Sequence, residues 1–421
     1  MILKCWNKQE REIYDMNSMQ IPAHVEQIIH TLNSHGYEAF AVGGCVRDSI
    51  LGRSPDDWDI TTSAKPEQVK ALFHRTVDTG LQHGTVTVLM EKEGYEVTTY
   101  RVDGEYEDGR HPKEVTFTAS LEEDLKRRDF TINAMAYSHE TGIVDAFDGM
   151  GDLEKGVIRC VGCARDRFTE DALRILRAIR FAAQLGFSIE EETYMAIRAI
   201  APNLRNVSKE RIQVELTKLL TSAHPEKIAM VEDTGISPYV TEDFPRVFCT
   251  ERERKAGGAD GSELFSCLSL LPPEKSMRWA GFLRHMEPAM VRRILKGLKL
   301  DNETVDNGKT MTEAAQTSLE PEKAGIRRFL SQMTPYQFDG CLRLKELDQD
   351  PRVEEIRRLW EEIEKDGDCV SLKELAVGGK DLLAAGMEGK EIGEALRRLL
   401  ELVLEDPSMN RRELLLEKLR S

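Results

Sequence analysis

Between residues 21 and 36, Val25, Ile28, Ile29 and Leu32 recur at the spacing of one helix face, and Gly36 stands where a helix C-terminus belongs. The apolar run 39–42 predicts a short strand, broken by Gly43-Gly44, and residues 45–51 predict a helix that begins at that turn. Segments 58–62, 85–90 and 95–100, rich in Val, Thr and aromatics, predict further strands. Beyond about residue 165 the period is helical throughout. Residues 169–185 carry apolar side chains on several sides and predict a well-buried helix, followed by helices over 190–200, 208–221, 353–364, 371–385 and 389–404. The polar stretches 250–263 and 301–325 predict loops or subdomain joints. The pattern is that of an α+β protein, a mixed helix–strand head over about the first 147 residues followed by a long all-α remainder.

At 421 residues the chain exceeds the size at which a single core stops growing, so several domains are expected. No apolar run approaches the roughly 18–20 residues that span a bilayer. The opening MILKCWNKQERE does not resemble a secretory signal, which leads us to expect a cytoplasmic protein with no membrane partner. The eight cysteines are then expected as free thiols. Cys160 and Cys163 form a C-x-x-C pair, but no second pair follows at zinc spacing. A net charge of −16 is unusual for a nucleic-acid binder, yet residues 159–221 hold 11 Lys or Arg against 8 Asp or Glu. Translation could start at Met1, Met16 or Met19.

The head contains Gly43-Gly44-Cys45-Val46-Arg47-Asp48 and then Asp57-Trp58-Asp59. If the latter is a strand, Asp57 and Asp59 share a face and Trp58 points into the core. Paired carboxylates repel unless a cation lies between them, and hard oxygen ligands suit Mg²⁺, which takes substrate phosphates as further ligands. The Gly-Gly turn lets backbone N–H groups approach phosphate, and Arg47 adds a charged donor. Glu96 is a third candidate carboxylate, from a neighbouring strand. Such a set suits in-line attack on an α-phosphate assisted by two metals. A lone D-x-D also occurs on many surfaces without any metal; the order strand, Gly-Gly turn, helix, D-x-D strand is what gives it weight.

Two further segments, Arg127-Arg128-Asp129-Phe130-Thr131-Ile132-Asn133-Ala134-Met135-Ala136 and Glu170-Asp171-Ala172-Leu173-Arg174-Ile175-Leu176-Arg177-Ala178-Ile179-Arg180-Phe181, complete the pattern. With them the chain resembles the class II tRNA nucleotidyltransferases, the family shared by CCA-adding enzymes and bacterial poly(A) polymerases. The resemblance runs from about residue 21 to 221, five motifs in order, and is less specific beyond. It implies a polymerase-β-like catalytic head over 1–147, a helical neck over 148–225, a body over 226–320 and a tRNA-binding tail over 321–421. It also implies that Asp57 and Asp59 hold the metals, that Gly44 and Arg47 contact the nucleotide, and that Arg128 does so with Asp129 and Asn133 near the ribose. Asp171 and Arg174 match the pair that reads the incoming base, and Arg177 and Arg180 match further nucleotide-binding arginines.

The base-reading pair has its own physical logic. Three apart on a helix, Asp171 and Arg174 would be neighbours on one face. A carboxylate accepts from an exocyclic amino group and a guanidinium donates to a ring nitrogen; cytosine and adenine both offer that edge, uracil and guanine its reverse. A wrong base leaves buried polar groups unpaired, at about 1–3 kcal/mol each. The arginine stripe spirals, placing Arg180 about half a turn from Asp171, so Arg180 holds phosphate or braces the pocket. Residues 101–112, with their glycines and charges, predict a mobile loop resembling the one that CCA- and A-adding members possess.

The implied activity is addition of C, C and A to a tRNA 3′ end from CTP and ATP with Mg²⁺, the body and tail holding the acceptor and T arms. Alternatives are a poly(A) polymerase, an A-adding enzyme working with a CC-adding partner, a non-catalytic RNA-binding protein and a small-molecule nucleotidyltransferase. Residues 83–88 look like the CCA-adding version, and no long basic tail of the polymerase kind is present. The chain contains no His-Asp dipeptide, which argues against a phosphohydrolase module. Whether the chain works as a homodimer is left open.

Overall fold

A computed structural model describes residues 19–104, 115–256 and 264–420. The chain divides into two compact units, one of Met1–Glu215 with Met230–Tyr239, the other of Leu216–Ala229 with Val240–Ser421.

The first unit is built on a seven-stranded mixed sheet. Its strands are β1 (Ala39–Val42), β2 (Asp59–Thr62), β3 (Thr76–Gly80), β4 (Thr85–Met90), β5 (Glu93–Thr99), and, after the separate ladder of β6 (Arg101–Asp103) with β7 (Val115–Phe117), β8 (Met135–Ser138) and β9 (Gly142–Asp145). The sheet order is β3-β4-β5-β2-β1-β8-β9. All pairings are antiparallel except β2 with β5. The central strand β1 is buried along its whole length, as its unbroken apolar run requires. Helix α1 (Ala23–Ser34) buries Val25, Ile28, Ile29 and Leu32, the residues whose spacing predicts it. Gly36 takes the left-handed conformation just past its end, with φ of 85°. The edge strand β3 is absent from the sequence reading because TVDTG is polar and largely exposed. The fully buried β8 is hidden inside an otherwise polar motif. The loop expected at 101–112 is entered and left through the β6–β7 ladder, in which Arg101 pairs with Phe117; residues 105–114 of it lie outside the described residues, as do residues 1–18.

The second unit is helical. Phe244, Phe248, Phe265 and Phe282 pack edge-on or tilted with centroids 5.2–5.8 Å apart, and Trp279 adjoins Phe282 at 6.1 Å. Further along, Phe338 meets Trp360 at 5.0 Å, and Leu399, Val403, Leu404 and Leu415 form a separate cluster. Buried Arg327 donates to the carbonyls of Leu404 (2.6 Å) and Glu405 (3.0 Å), satisfying the end of helix Lys390–Glu405.

Three helical expectations are corrected. The stretch 301–325, expected as a joint, holds helix Asn302–Gln316 and the start of Lys323–Gln332. Asp301 caps the first by accepting from the Thr304 N–H at 2.8 Å, and its buried face is made of Thr304, Asn307, Gly308 and Thr312 as well as Val305 and Met311, so composition alone disguised it. The expected helix 371–385 shrinks to Gly379–Ala384, because Glu374 turns back to accept from the Val370 and Ser371 N–H groups and Gly378-Gly379 breaks the period. The expected break at 250–263 is helical as far as Ala256, with residues 257–263 outside the described set. No helix among the described residues is long and apolar enough to cross a membrane.

Candidate active site

Strand β1 ends in the Gly43-Gly44 turn that starts helix α2 (Gly44–Ile50). The demand for glycine falls on Gly43. Its φ is +85°, and a Cβ there would lie 3.0 Å from Nη1 of Arg128. At Gly44 a Cβ would meet only Arg47 Nη2, at an ordinary 3.6 Å. The turn therefore brings backbone against the Arg128 guanidinium, and the steric demand for glycine falls one residue before Gly44, the position that the resemblance gives to the nucleotide.

The carboxylates gather beside this turn. Strand β2 begins at Asp59, so Asp57 lies just before the strand, and Trp58 is half-buried instead of pointing into the core. Ile60 pairs with Val97, so Asp59 and Glu96, one residue earlier on each strand, leave the sheet on the same face. Their electrostatics agree with that placement. Partial burial and then the charges of Asp59 and Asp57 push the Glu96 carboxyl above its ordinary range. Asp59 is pushed up as well, first by partial burial and then by Asp57, against the pull of Arg128. Arg128 is half-buried, and its buried Nε has no hydrogen-bond partner among the described residues. Its Nη2 stands 3.6 Å from Asp124, a fully buried carboxylate that also accepts from Arg127 (2.9 Å) and Thr61 (3.1 Å).

A second network joins the remaining head residues to the arginine helix. Arg47 donates to Asp48 (3.0 and 2.7 Å) and to Oδ1 of Asn133 (2.5 Å); Asn133 donates to Asp129 (3.2 Å). Asp129 accepts from Arg177 through Nε (2.8 Å) and Nη2 (2.6 Å). Burial raises the Asp129 carboxyl, yet the charge and hydrogen bonds of Arg177 hold it at about 2. Arg180 is buried and lies 2.7 Å from Glu215. Burial lowers its pKa to about 10, against the pull of Glu215.

The base-reading geometry needs correction. The helix expected over 169–185 is interrupted: α3 (Ala164–Glu170) stops and α4 (Leu173–Leu185) starts, with Asp171 extended between them at φ −142° and ψ 103°. Asp171 accepts from the Leu173 N–H at 3.0 Å, the local bond by which a short polar side chain replaces a helical turn. Asp171 and Arg174 are thus not helix-face neighbours. Asp171 is held by Arg211 at 2.7 Å, and Arg174 by Glu170 at 2.8 Å and by the carbonyls of Arg167 and Arg127. Both remain partly accessible.

The sequence reading missed Asp48, Asp124, Glu170, Arg211 and Glu215, which fix the expected residues, and Phe181, against which three guanidiniums rest. Asp48, Glu170 and Phe181 carried a local signal, since the first ends the quoted Gly-Gly motif and the other two lie inside the quoted arginine motif. Cys160 is buried and Cys163 exposed, both as free thiols.

The model for the "Poly A polymerase head domain" matches residues 39–159, that for the "Probable RNA and SrmB- binding site of polymerase A" matches 186–245, and that for "tRNA nucleotidyltransferase domain 2" matches 272–419. The CCA-adding enzyme of Lactiplantibacillus plantarum is 38% identical over 415 residues, covering 94% of this chain and 96% of its own. That of Enterococcus faecalis is 38% identical over 402 residues, covering 92% and 93%. The solved Bacillus stearothermophilus CCA-adding enzyme in complex with CTP superposes with a TM-score of 0.78 at 34% identity, covering 95% of this chain and 98% of that one. The chain is a nucleotidyltransferase and belongs to the class II tRNA nucleotidyltransferase and poly(A) polymerase family. It stands among the bacterial CCA-adding enzymes of that family.

Membership implies a divalent metal. Among the described residues no group of three or more His, Cys, Asp or Glu side chains is placed to hold a metal ion unaided. The chemistry of the donors still suits a hard cation: three mutually repelling, solvent-exposed carboxylates, two of them displaced upward, where substrate oxygens could complete the coordination.

Proposed function

We propose that this chain adds C, C and A in turn to the 3′ end of tRNA from CTP and ATP, with Mg²⁺ held by Asp57 and Asp59 and with Glu96 as the third catalytic carboxylate. The observation that carries the reading is the like-charge crowding of Asp57, Asp59 and Glu96 beside Arg128 and the Gly43-Gly44 turn. Mg²⁺ there would polarise the α-phosphate and favour the deprotonated 3′ hydroxyl. Gly44 and Arg47 meet the phosphates from the turn, Arg128 adds charge beside Asp59, and Asp129 and Asn133 orient the ribose while anchoring Arg47 and Arg177. Arg177 and Arg180 add positive potential. Asp171, held by Arg211, and Arg174, held by Glu170, present an acceptor and a donor to the edge shared by cytosine and adenine. Separate anchors for the two members support a preformed reader, since neither has to be bought from solution when the base arrives. The helical residues past about 225 hold the acceptor and T arms of tRNA.

The test is a tRNA ending at the discriminator base, supplied with Mg²⁺ and with CTP and ATP separately and together. CTP alone should add two residues, and both together three. Long adenosine tails on unrelated RNA would favour a poly(A) polymerase. Addition of A only, and only to a tRNA ending in CC, would favour an A-adding enzyme. No incorporation under any condition would leave an RNA-binding protein.

A further inference from the structure

Three arginines of the nucleotide site converge on one aromatic ring. The guanidinium carbon of Arg180 lies 3.9 Å from the Phe181 centroid, that of Arg47 5.0 Å and that of Arg177 5.4 Å. The three come from two elements, α2 and α4, and each is tethered on another side by its own acid: Arg47 by Asp48, Arg177 by Asp129 and Arg180 by Glu215. Phe181 is 6% exposed and is itself fixed by Phe130, edge-on at 5.8 Å and 79°, one residue beyond Asp129. Although Arg180 Nε is 2.7 Å from Glu215 Oε2, neither atom makes a hydrogen bond of good geometry; the guanidinium lies against the ring instead.

Three like charges in a partly desolvated space repel. The acids offset this by charge, and the negative face of the aromatic ring, the one group in contact with all three guanidiniums among those named, offsets it without supplying a charge that would compete with phosphate. We propose that Phe181 is a positioning residue for triphosphate binding: its ring gathers Arg47, Arg177 and Arg180 into a convergent cluster before the nucleotide arrives. This rests on the reading of those arginines as nucleotide-binding. The contribution is to the phosphate end, so it is the same for CTP and ATP, and it concerns affinity and not the chemical step.

Fluorination withdraws density from the ring face while nearly preserving its shape. We would place mono-, di- and trifluorinated phenylalanine at position 181 of the full chain and measure Mg²⁺–CTP and Mg²⁺–ATP binding by calorimetry, with melting temperature alongside. The expected result is a stepwise loss of affinity for both nucleotides, reaching about tenfold for the trifluorinated ring, with melting unchanged. On tRNA the same series should raise KM and spare kcat. Constant affinity across the series overturns the proposal, as does a loss that tracks a falling melting temperature, or one confined to a single nucleotide. Failure of the parent chain to extend tRNA would strike the functional reading alone, because the binding series is read without tRNA.

Discussion

Within the first unit, two charged regions are built on opposite terms. Where β2 begins beside β5, Asp57, Asp59 and Glu96 repel one another, and both Asp59 and Glu96 are displaced toward protonation. On the arginine helix every guanidinium has an acid, and Asp129 is driven the other way, to about 2. The first arrangement costs the folded chain something until a cation arrives. The second is already compensated within the fold, each guanidinium held by an acid of the same unit. A nucleotidyltransferase needs both, because a metal must be acquired with its substrate whereas a pocket that selects among bases should not rearrange for each one.

The largest effect should come from removing the repulsive side. Asp59→Ala or Asp57→Ala is expected to lower both C and A addition by ~10³-fold or more, the several kcal/mol a phosphoryl-transfer metal supplies, while tRNA affinity stays near that of the parent. Single-turnover incorporation in Mg²⁺, with tRNA binding as the control, measures this. Turnover comparable with the parent would remove the metal role from these residues.

Breaking the compensated side should instead be felt in stability. Asp129→Asn leaves Arg177 without its hydrogen-bonded acid and is expected to destabilise the first unit by about 1–2 kcal/mol, less than for a fully buried pair because solvent reaches and screens Arg177. The sign of the pH dependence follows from the depressed carboxyl. With its folded value at about 2 against an ordinary 3.8, the stabilisation is present above about pH 4–5 and fades as pH falls toward 2. Denaturant titrations of parent and variant at neutral and acid pH should therefore converge on acidification. A gap that stays constant would mean that the Asp129 charge carries no weight.

Smaller, and specific to substrate, is the effect of the reading pair. Asp171→Ala and Arg174→Ala should relax base choice by about 1–3 kcal/mol in competition between CTP and UTP or ATP and GTP, with less loss of triphosphate affinity. Undiminished exclusion of UTP and GTP alongside collapsed CTP binding would turn these residues into phosphate anchors and erase the distinction between the two regions.

How far this contrast could be read from the sequence depends on the range of the interactions. The strand 39–42, the Gly-Gly turn and the spacing of Asp57 and Asp59 are local, and the head followed by a helical remainder is as expected. The partners of the arginines were not legible: Arg211 lies 40 residues from Asp171 and Asp129 48 residues from Arg177, and nothing in periodicity pairs them. The break at Asp171 was masked because the residues on both sides are helical, and one side-chain bond to the backbone decides the conformation. In the second unit, helix Asn302–Gln316 was hidden for a different reason: its buried positions are filled by small and polar groups such as Asn307, which accepts from Gln337 at 2.9 Å.

The smallest predicted effect tests the opening contrast most directly. If the clustered carboxylates are a cost, neutralising one should stabilise the metal-free protein, the reverse of Asp129→Asn. Asp59 is accessible, so solvent screens much of its repulsion, and Asp59→Asn should contribute only a few tenths of a kcal/mol at neutral pH. An acid whose folded value is raised is destabilising above that value, and the penalty disappears as pH falls through it, so parent and variant should again converge in acid, but from the opposite side. Added Mg²⁺ should raise the melting temperature of the parent more than that of Asp59→Asn, because the variant lacks one of the two proposed metal ligands and keeps only the weaker repulsion between Asp57 and Glu96. Melting curves of both proteins, with chelator and with millimolar Mg²⁺, decide it. An Asp59→Asn variant less stable than the parent without metal would show that this carboxylate is already satisfied within the chain, and the two regions would then be electrostatically alike.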